Sequence, residues 1–284
     1  MFSRSPGEFS ALASLILKKT GGNAFFINQF IGKIYREHVL IFSAKEGLWR
    51  WNLEAIQQMN VTENVTGLLI DRLKTMPDDI RKIMSLASCA GNSFSPSLLS
   101  DIMTDPPSTI HRCLQAAIRE GLLLPVGGHP KMEGYAESAG VLRFLHDRIQ
   151  EASYSLLQPE EIRKVHLAIG RAMLKNTRPE AMEERIFEIV SHLLKGMEHV
   201  TEEKERLEMA RLMLAAGIKA KSSTAYDLAC TYLATGMELA AENVWNPDAS
   251  LSFALHRERS ECEYLAGNHD RAQKLFELAF QKAQ

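Results

Sequence analysis

The chain has 284 residues, of which 45% are hydrophobic and 24% are charged, and its formal net charge at pH 7 is −2. This length allows two or three domains, whereas the balanced charge argues against bulk attraction to nucleic acid or to anionic membranes. The four cysteines are isolated and form no Cys-x-x-Cys pair, which argues against a zinc ribbon. The sequence has no long apolar run and no signal-peptide pattern. We therefore expect a cytoplasmic protein with no membrane span.

The hydrophobic periodicity predicts a mainly α fold with a small β content. Residues 1–60 are predicted to form two helices, separated at Gly21-Gly22-Asn23, and then a β-hairpin. The hairpin is indicated by two β-prone runs, residues 39–42 and 48–51, around a five-residue loop that ends in Gly47. A short loop that ends in glycine between such runs is typical of this motif.

Residues 61–158 are predicted to form four helices and two strands. The helices are expected over about residues 62–76, over about residues 78–90, after Ser95-Pro96 and after Asp105-Pro106-Pro107. Each start has Ser, Asp or Pro in a capping or first-turn position. Apolar runs at 122–126 and 141–145 then flank a Gly-rich polar loop, residues 127–140. Three helices followed by strand, loop and strand is the order of a winged helix, and the loop is its predicted wing.

The junction between the last strand and the next helix carries His146. Asp147 stands where an N-cap residue is expected, and Gln150 follows three residues later, as in a capping box. An imidazole held beside a helix N-terminus can donate a hydrogen bond to an anion. We therefore expect the ring of His146 to face a ligand cleft, with Arg148 free to contact solvent or phosphate. The alternative is a buried histidine bonded to a backbone carbonyl.

Residues 159–284 show helical patterns only, and part of the pattern repeats. Tyr226-Asp227-Leu228-Ala229 aligns with His269-Asp270-Arg271-Ala272 at an offset of 43 residues. Small residues recur at matching positions, which favours closely packed helix pairs. The segment that begins at Tyr264 is similar to a tetratricopeptide repeat, although the offset is longer than usual. We therefore predict degenerate tetratricopeptide-like repeats in an array that is truncated at its C-terminus.

Five blocks, in the same order along nearly the whole chain, are similar to those of a known family. They are Lys19–Phe26, Gly47–Trp51, Phe144–Tyr154, Glu184–Phe187 and Ala220–Tyr226. The chain resembles the C-terminal half of the AAA/STAND-type ATPase module of large bacterial multi-sensor serine/threonine or histidine kinases (STAND: signal-transduction ATPases with numerous domains). The resemblance implies the end of an ATPase lid over residues 1–60, a winged-helix domain over 61–158 and tetratricopeptide-like repeats over 159–284.

The resemblance also implies roles for particular residues. The stretch around His146 is similar to the Met-His-Asp motif of this class, in which the histidine contacts the β-phosphate of ADP and holds the closed state. Leu145 replaces the methionine here, and Ala24 replaces a proline that packs near adenine in the family. The implied nucleotide-sensing residues are His146, Asp147 and Arg148, and the implied residues on the adenine side of the lid are Gly22, Asn23 and Ala24.

The phosphate-binding half of such a module is not found in this sequence. No G-x-x-x-x-G-K-[ST] loop and no acidic strand end for a magnesium ligand is present. We therefore expect no enzymatic activity and no cofactor in the isolated chain, with ATP or ADP bound elsewhere in a parent protein. The expected role is to couple an upstream nucleotide-binding domain to signalling proteins, which would bind the tetratricopeptide-like repeats. No membrane partner is expected.

Two other functions fit parts of the pattern. A winged-helix DNA-binding transcription regulator would use the helix over residues 108–120, but Arg112 and Arg119 form only a thin basic surface. A His-Asp metal enzyme would need ligands in addition to His146 and Asp147, and the candidates are His111, His166 and His192. We therefore expect neither DNA nor a metal ion to be the principal partner.

Overall fold

The chain is mainly helical, and it divides into two compact units. The computed structural model describes residues 6–59, 65–126, 140–241 and 249–282. The first unit comprises residues 1–100 and 105–157, and the second comprises residues 101–104 and 158–284. The main division between the units therefore lies next to the predicted boundary at residue 158. The boundary predicted at residue 60 lies inside the first unit.

The first unit begins with two helices, a β-hairpin and a short helix. Their bounds are α1 Pro6–Thr20, α2 Ala24–Arg36, β1 Leu40–Ser43, β2 Leu48–Trp51 and α3 Leu53–Gln58. The predicted hairpin is confirmed, because β1 and β2 are antiparallel with Leu40 opposite Trp51. Gly47 has φ of 65° in the connecting loop, a left-handed conformation that glycine adopts without strain. The buried core of this part consists of Leu12, Ile16, Phe30, Ile34, Trp51 and Ile56.

Over residues 65–126 and 140–157, the remainder of the first unit combines five helices with a small sheet. The bounds are α4 Val65–Lys74, α5 Asp78–Cys89, β3 Ser93–Phe94, α6 Pro96–Ile102, α7 Pro107–Arg119, β4 Leu123–Val126, β5 Val141–Phe144 and α8 Asp147–Tyr154. The sheet is antiparallel with the order β3-β5-β4, and α8 packs against α4 and α5. The sequence pattern predicts β4 and β5 but not β3, because two residues are too few to show an alternation. The predicted wing, apart from Gly140, lies outside the described residues.

Where the structure describes it, the second unit contains helices only. Their bounds are α9 Pro159–Asn176, α10 Pro179–Lys195, a 3₁₀ helix Met197–His199, α11 Glu203–Ser222, α12 Tyr226–Ala241, α13 Ala249–Leu265 and α14 His269–Lys282. The predicted offset of 43 residues relates two helix pairs. Ser222 ends α11 and Tyr226 begins α12, just as Leu265 ends α13 and His269 begins α14. Helix α13 packs against both α12 and α11. The assignment of these pairs to the tetratricopeptide class stays a prediction.

Helices α11 and α12 approach each other closely at Gly217. A Cβ atom at this position would lie 2.6 Å from Cγ of Leu233, which is fully buried in α12. No ordinary Cβ contact is this short, so the glycine is required for the packing of the pair.

Replacing Gly217 with Ala should lower the free energy of unfolding by about 1–3 kcal/mol, because the added methyl overlaps Leu233. The matched control is Gly32→Ala in α2, where a Cβ would approach only the guanidinium of Arg36. There we expect a neutral effect or a gain of up to about 1 kcal/mol. Urea denaturation followed by circular dichroism measures both. Equal stabilities for the two variants would contradict the close approach. The combined variant Gly217→Ala/Leu233→Ala should lose less unfolding free energy than the sum of the losses from the two single changes.

Candidate functional site

His146 lies between β5 and α8, and it is the N-cap residue of α8. Its backbone is extended, and its Nδ1 accepts a hydrogen bond from the backbone N–H of Arg148 at 3.1 Å. The predicted N-cap, Asp147, is instead the first residue of α8, so that prediction is wrong by one residue. The reason is geometric. Nδ1 of histidine and Oδ1 of aspartate are both bonded to Cγ, so the imidazole Nδ1 can serve as the capping acceptor.

Two further details of the predicted junction are also wrong. Gln150 does not complete a capping box, because its Nε2 donates to the carbonyl oxygen of Ser88 in α5 at 3.0 Å. Arg148 is not free, because its Nη1 lies 2.6 Å from Oε2 of Glu151 one turn along the helix. Both members of this ion pair are about half exposed, so the pair contributes little to stability. An incoming anion can therefore compete with Glu151 for the guanidinium.

The imidazole of His146 is exposed, and it stacks on the ring of Phe25. The two ring centroids are 4.2 Å apart, and the ring planes differ by 14°. Stacked aromatic pairs contribute about 0.5–1.5 kcal/mol beyond the area that they bury. The alternative of a buried histidine bonded to a carbonyl is thus wrong. The sequence shows Phe25 only as part of the block Lys19–Phe26, and no sequence signal indicated its contact with the distant His146.

The predicted adenine-side residues form the turn that positions Phe25. Asn23 is the N-cap of α2, and its Oδ1 accepts hydrogen bonds from the backbone N–H groups of Phe25 (3.0 Å) and Phe26 (3.3 Å). Gly22 has φ of 75°, which favours glycine, and Ala24 is the exposed first residue of α2. These residues direct α2 so that Phe25 reaches His146. Their contact with adenine stays a prediction.

Arg72 in α4 joins the same helix α2 to the end of α7. Its Nη1 donates to Oε1 of Gln29 at 3.1 Å, and its Nη2 donates to the carbonyl oxygen of Glu120 at 2.6 Å. Nη2 also lies 3.1 Å from the Glu120 carboxylate, and only 12% of the Arg72 side chain is exposed. One guanidinium therefore holds α2, α4 and the end of α7 together, a role that the sequence alone did not reveal.

The hydrogen bonding of His146 determines what its ring can do. Because Nδ1 accepts the capping hydrogen bond, the proton of the neutral imidazole lies on Nε2. The capping bond and the stacking on Phe25 restrain this donor, which stands beside the first turn of α8. Such a donor suits a phosphate or carboxylate oxygen. Asp147 places an exposed carboxylate in the same turn and Arg148 is already paired with Glu151, so tight anion binding needs further positive charge from outside this site.

Three of the residues that the two alternative functions would use have other partners. His166 and His192 contact each other, with their Nδ1 atoms 2.8 Å apart and both side chains buried. Within the described ranges, no group of three or more His, Cys, Asp or Glu residues could hold a metal ion. In the candidate DNA-reading helix, Arg112 pairs with Asp79 at 3.0 Å. This pairing reduces the basic charge that a phosphate backbone would meet.

Comparisons with known proteins give one similarity of note. No model of a known protein family matches the chain, and no solved structure matches it. The chain is similar to a curated protein, the hybrid signal transduction histidine kinase G of Dictyostelium discoideum, with 28% identity over 329 residues. The match covers 98% of this chain but 10% of that protein, so the chain spans about a tenth of the relative's length. None of the described helices combines the length and apolar character that crossing a membrane requires.

Proposed function

We propose that this chain is a non-catalytic regulatory segment of a larger STAND-type signalling ATPase, and that His146 is its nucleotide-sensing residue. The similarity to a signal transduction histidine kinase supports a signalling role. The order of elements α5, β3, α6, α7, β4 and β5 in the first unit agrees with a winged helix. The stacking of Phe25 on His146 is the observation that carries the proposal, because it joins the predicted lid to the predicted sensor.

The coupling follows from what each residue contacts. The capping bond to Arg148 and the stack on Phe25 orient Nε2–H of His146 toward a phosphate oxygen held by a neighbouring nucleotide-binding domain. Since this chain has no phosphate loop, its residues fit a sensing contact rather than the main phosphate site. A displacement of α2 would remove Phe25 from the imidazole ring of His146, and the Nε2–H donor would no longer be held in place. Arg72 resists that displacement through Gln29. The helix pairs of the second unit would carry the binding surface for signalling proteins.

Replacing His146 with Ala should lower the free energy of unfolding of the isolated chain by about 1–2 kcal/mol, because both the cap and the stack are lost. His146→Asn is the matched control. An asparagine restores a capping oxygen but neither the stack nor the Nε2 donor. It should therefore recover about half of the lost stability, as measured by urea denaturation.

The two variants then separate sensing from stability. In the longer polypeptide that contains the nucleotide-binding domain, both His146→Ala and His146→Asn should release bound ADP faster, because each removes the phosphate donor. Radiolabelled ADP retained on gel filtration measures the effect. ADP retention by the Asn variant equal to that of the unchanged protein would show that His146 is a structural cap and not a sensor.

A further inference from the structure

A groove in the second unit lies between the end of α13 and the beginning of α14. Its volume is about 610 Å³, and Tyr264, Leu265 and Phe276 are among the residues that form it. Phe276 and the neighbouring Phe280 are large aromatic residues, yet each is 61% exposed. They are four residues apart and therefore lie on one face of α14. A contiguous exposed apolar surface of this kind indicates an interaction site.

The preceding helix pair shows what covers the equivalent surface. Helix α13 packs against both α11 and α12. At the end of α11, Lys221 binds carboxylates of α13. On α12, a Cβ atom at Gly236 would lie 2.7 Å from Cδ2 of Leu255 in α13. One residue further on, Sδ of Met237 lies 3.6 Å from Nη1 of Arg259 in α13. A single helix therefore covers this face of the α11–α12 pair.

The internal repeat transfers this face to the α13–α14 pair. At the offset of 43 residues, Lys221, Leu233 and Met237 correspond to Tyr264, Phe276 and Phe280. Leu233 is fully buried and Met237 is half-buried, whereas the three aromatic residues are between 61% and 62% exposed. We call these three residues, Tyr264, Phe276 and Phe280, the aromatic stripe. The aromatic stripe occupies the position that a covering helix buries in the preceding pair.

The charges around the groove indicate what kind of helix it accepts. Glu261 lines the groove on the α13 side. On α14, Asp270 and Glu277 lie about 100–120° around the helix from Phe276. In the part of the chain that the structure describes, neither carboxylate has a cationic partner, and Glu277 accepts a hydrogen bond from a glutamine. Lys274 lies about 160° from Phe276, on the far side of α14. We call Glu261, Asp270 and Glu277 the acidic rim.

A helix with the charges of α13 would not suit this position. Glu258 of α13 has a side chain that is only 6% exposed, and its carboxylate is paired with Lys221. The residue that corresponds to Lys221 in the groove is Tyr264, which carries no positive charge. A carboxylate at that point would be buried without a cation, which is costly. The covering helix therefore has no acidic residue there.

We propose that the α13–α14 groove binds a basic amphipathic helix of a partner protein. Apolar side chains spaced three and four residues apart would cover the aromatic stripe. Lys or Arg side chains on the flanks of the same helix would meet the acidic rim, and this complementarity sets the specificity. The inference rests on the proposed function only in assigning partner binding to the second unit, and it does not involve His146.

Fluorescence anisotropy with the full 284-residue chain and two labelled peptides tests the charge preference. Both peptides have about 18 residues, with Leu along one helical stripe and Ala elsewhere. The Lys peptide carries Lys on both flanks of the Leu stripe, and the Glu peptide carries Glu at the same positions. The Lys peptide should bind about tenfold or more tightly than the Glu peptide, and added salt should weaken its binding.

Two serine substitutions test the aromatic stripe. The variant Phe276→Ser/Phe280→Ser should bind the Lys peptide about tenfold or more weakly, because the apolar contact is lost. Its circular dichroism spectrum should not change, since both side chains are exposed. Leu228→Ser is the matched control, because Leu228 is an exposed apolar residue on α12 outside the groove. This control should bind the Lys peptide as the unchanged chain does.

Two amide substitutions test the acidic rim. The variant Asp270→Asn/Glu277→Gln should bind the Lys peptide about threefold to tenfold more weakly and should discriminate less between the two peptides. The control Asp227→Asn/Glu238→Gln removes two exposed carboxylates from α12 and should leave both affinities unchanged.

Three results would overturn the proposal. The first is equal or tighter binding of the Glu peptide, and the second is a Lys-peptide affinity that withstands the change of both phenylalanines. The third is self-association of the free chain that the same change abolishes in sedimentation velocity, which would assign the groove to a second copy. Because these experiments contain no nucleotide, a failure of the His146 sensor in the ADP-retention experiment would leave their outcome unaffected.

Discussion

Replacing Lys221 with Met should lower the free energy of unfolding of the second unit by about 3–5 kcal/mol, because it leaves a buried carboxylate without its main partner. Lys221 binds Glu258, and its Nζ lies 2.7 Å from Oε2 of Glu261. Only 6% of the Glu258 side chain is exposed. Burial acts to raise the pKa of Glu258, but hydrogen bonds from Lys221 and Arg257 hold that pKa below its usual value. The carboxylate is thus charged, and its charge depends on these partners.

A double substitution and a surface control define this prediction. Lys221→Met/Glu258→Leu should recover most of the lost stability, because no unpaired buried charge remains. Lys82→Met is the surface control. Nζ of Lys82 lies 2.7 Å from Oδ2 of Asp105, and the Lys82 side chain is 54% exposed. Its loss should lower the free energy of unfolding by less than about 1 kcal/mol. Urea denaturation followed by circular dichroism compares the three variants. If Lys221→Met is no less stable than Lys82→Met, the buried cluster is not the source of stability that we infer.

Acidification from pH 7 to pH 5 should lower the free energy of unfolding by about 2 kcal/mol through His166 alone. Burial, together with the nearby charges of Lys195 and His192, lowers the pKa of His166 from 6.5 to about 4. Burial and Lys195 also lower the pKa of His192. Between pH 6.5 and pH 4 the unfolded chain binds protons that the folded chain does not bind. The stabilising contribution is therefore complete above pH 6.5 and is lost as the pH falls toward 4.

Removing the histidine pair should flatten this pH dependence. The variant His166→Leu/His192→Leu keeps apolar volume at both buried positions but has no group that titrates there. Its unfolding free energy should change less between pH 7 and pH 5 than that of the unchanged chain, whatever its stability at pH 7. His269→Gln is the control, because it removes an exposed histidine and keeps the two buried ones. An equal slope in the Leu variant would assign the acid sensitivity to other groups.

These two predictions and the candidate site concern different parts of the chain. The ion cluster and the histidine pair lie in the second unit, whereas His146 and Phe25 belong to the first. Substitutions in the second unit can therefore be used to vary stability without touching the residues of the proposed sensor. If ADP retention in the longer polypeptide falls with His146→Asn but not with Lys221→Met, sensing is separable from general stability.

The sequence by itself determined most of the elements and their order, but not α3 or β3. Hydrophobic periodicity, caps and glycines predicted the hairpin β1–β2, the helices α4 to α7 and the strands β4 and β5. The repeat offset of 43 residues predicted where α12 and α14 begin. These features depend on interactions between residues that are close along the chain, and local sequence therefore records them. The same reasoning located His146 at a strand-to-helix junction.

Only the tertiary structure decided which side chains meet and which atom performs a role. The N-cap is His146 and not Asp147. The geometry of the junction brings the imidazole Nδ1 of His146, and not the carboxylate of Asp147, to the backbone N–H of Arg148. The stack of Phe25 on His146 and the bridge from Arg72 to Gln29 join distant segments. No periodicity or spacing records such contacts, because they arise when separately folded elements pack and exclude water between their side chains.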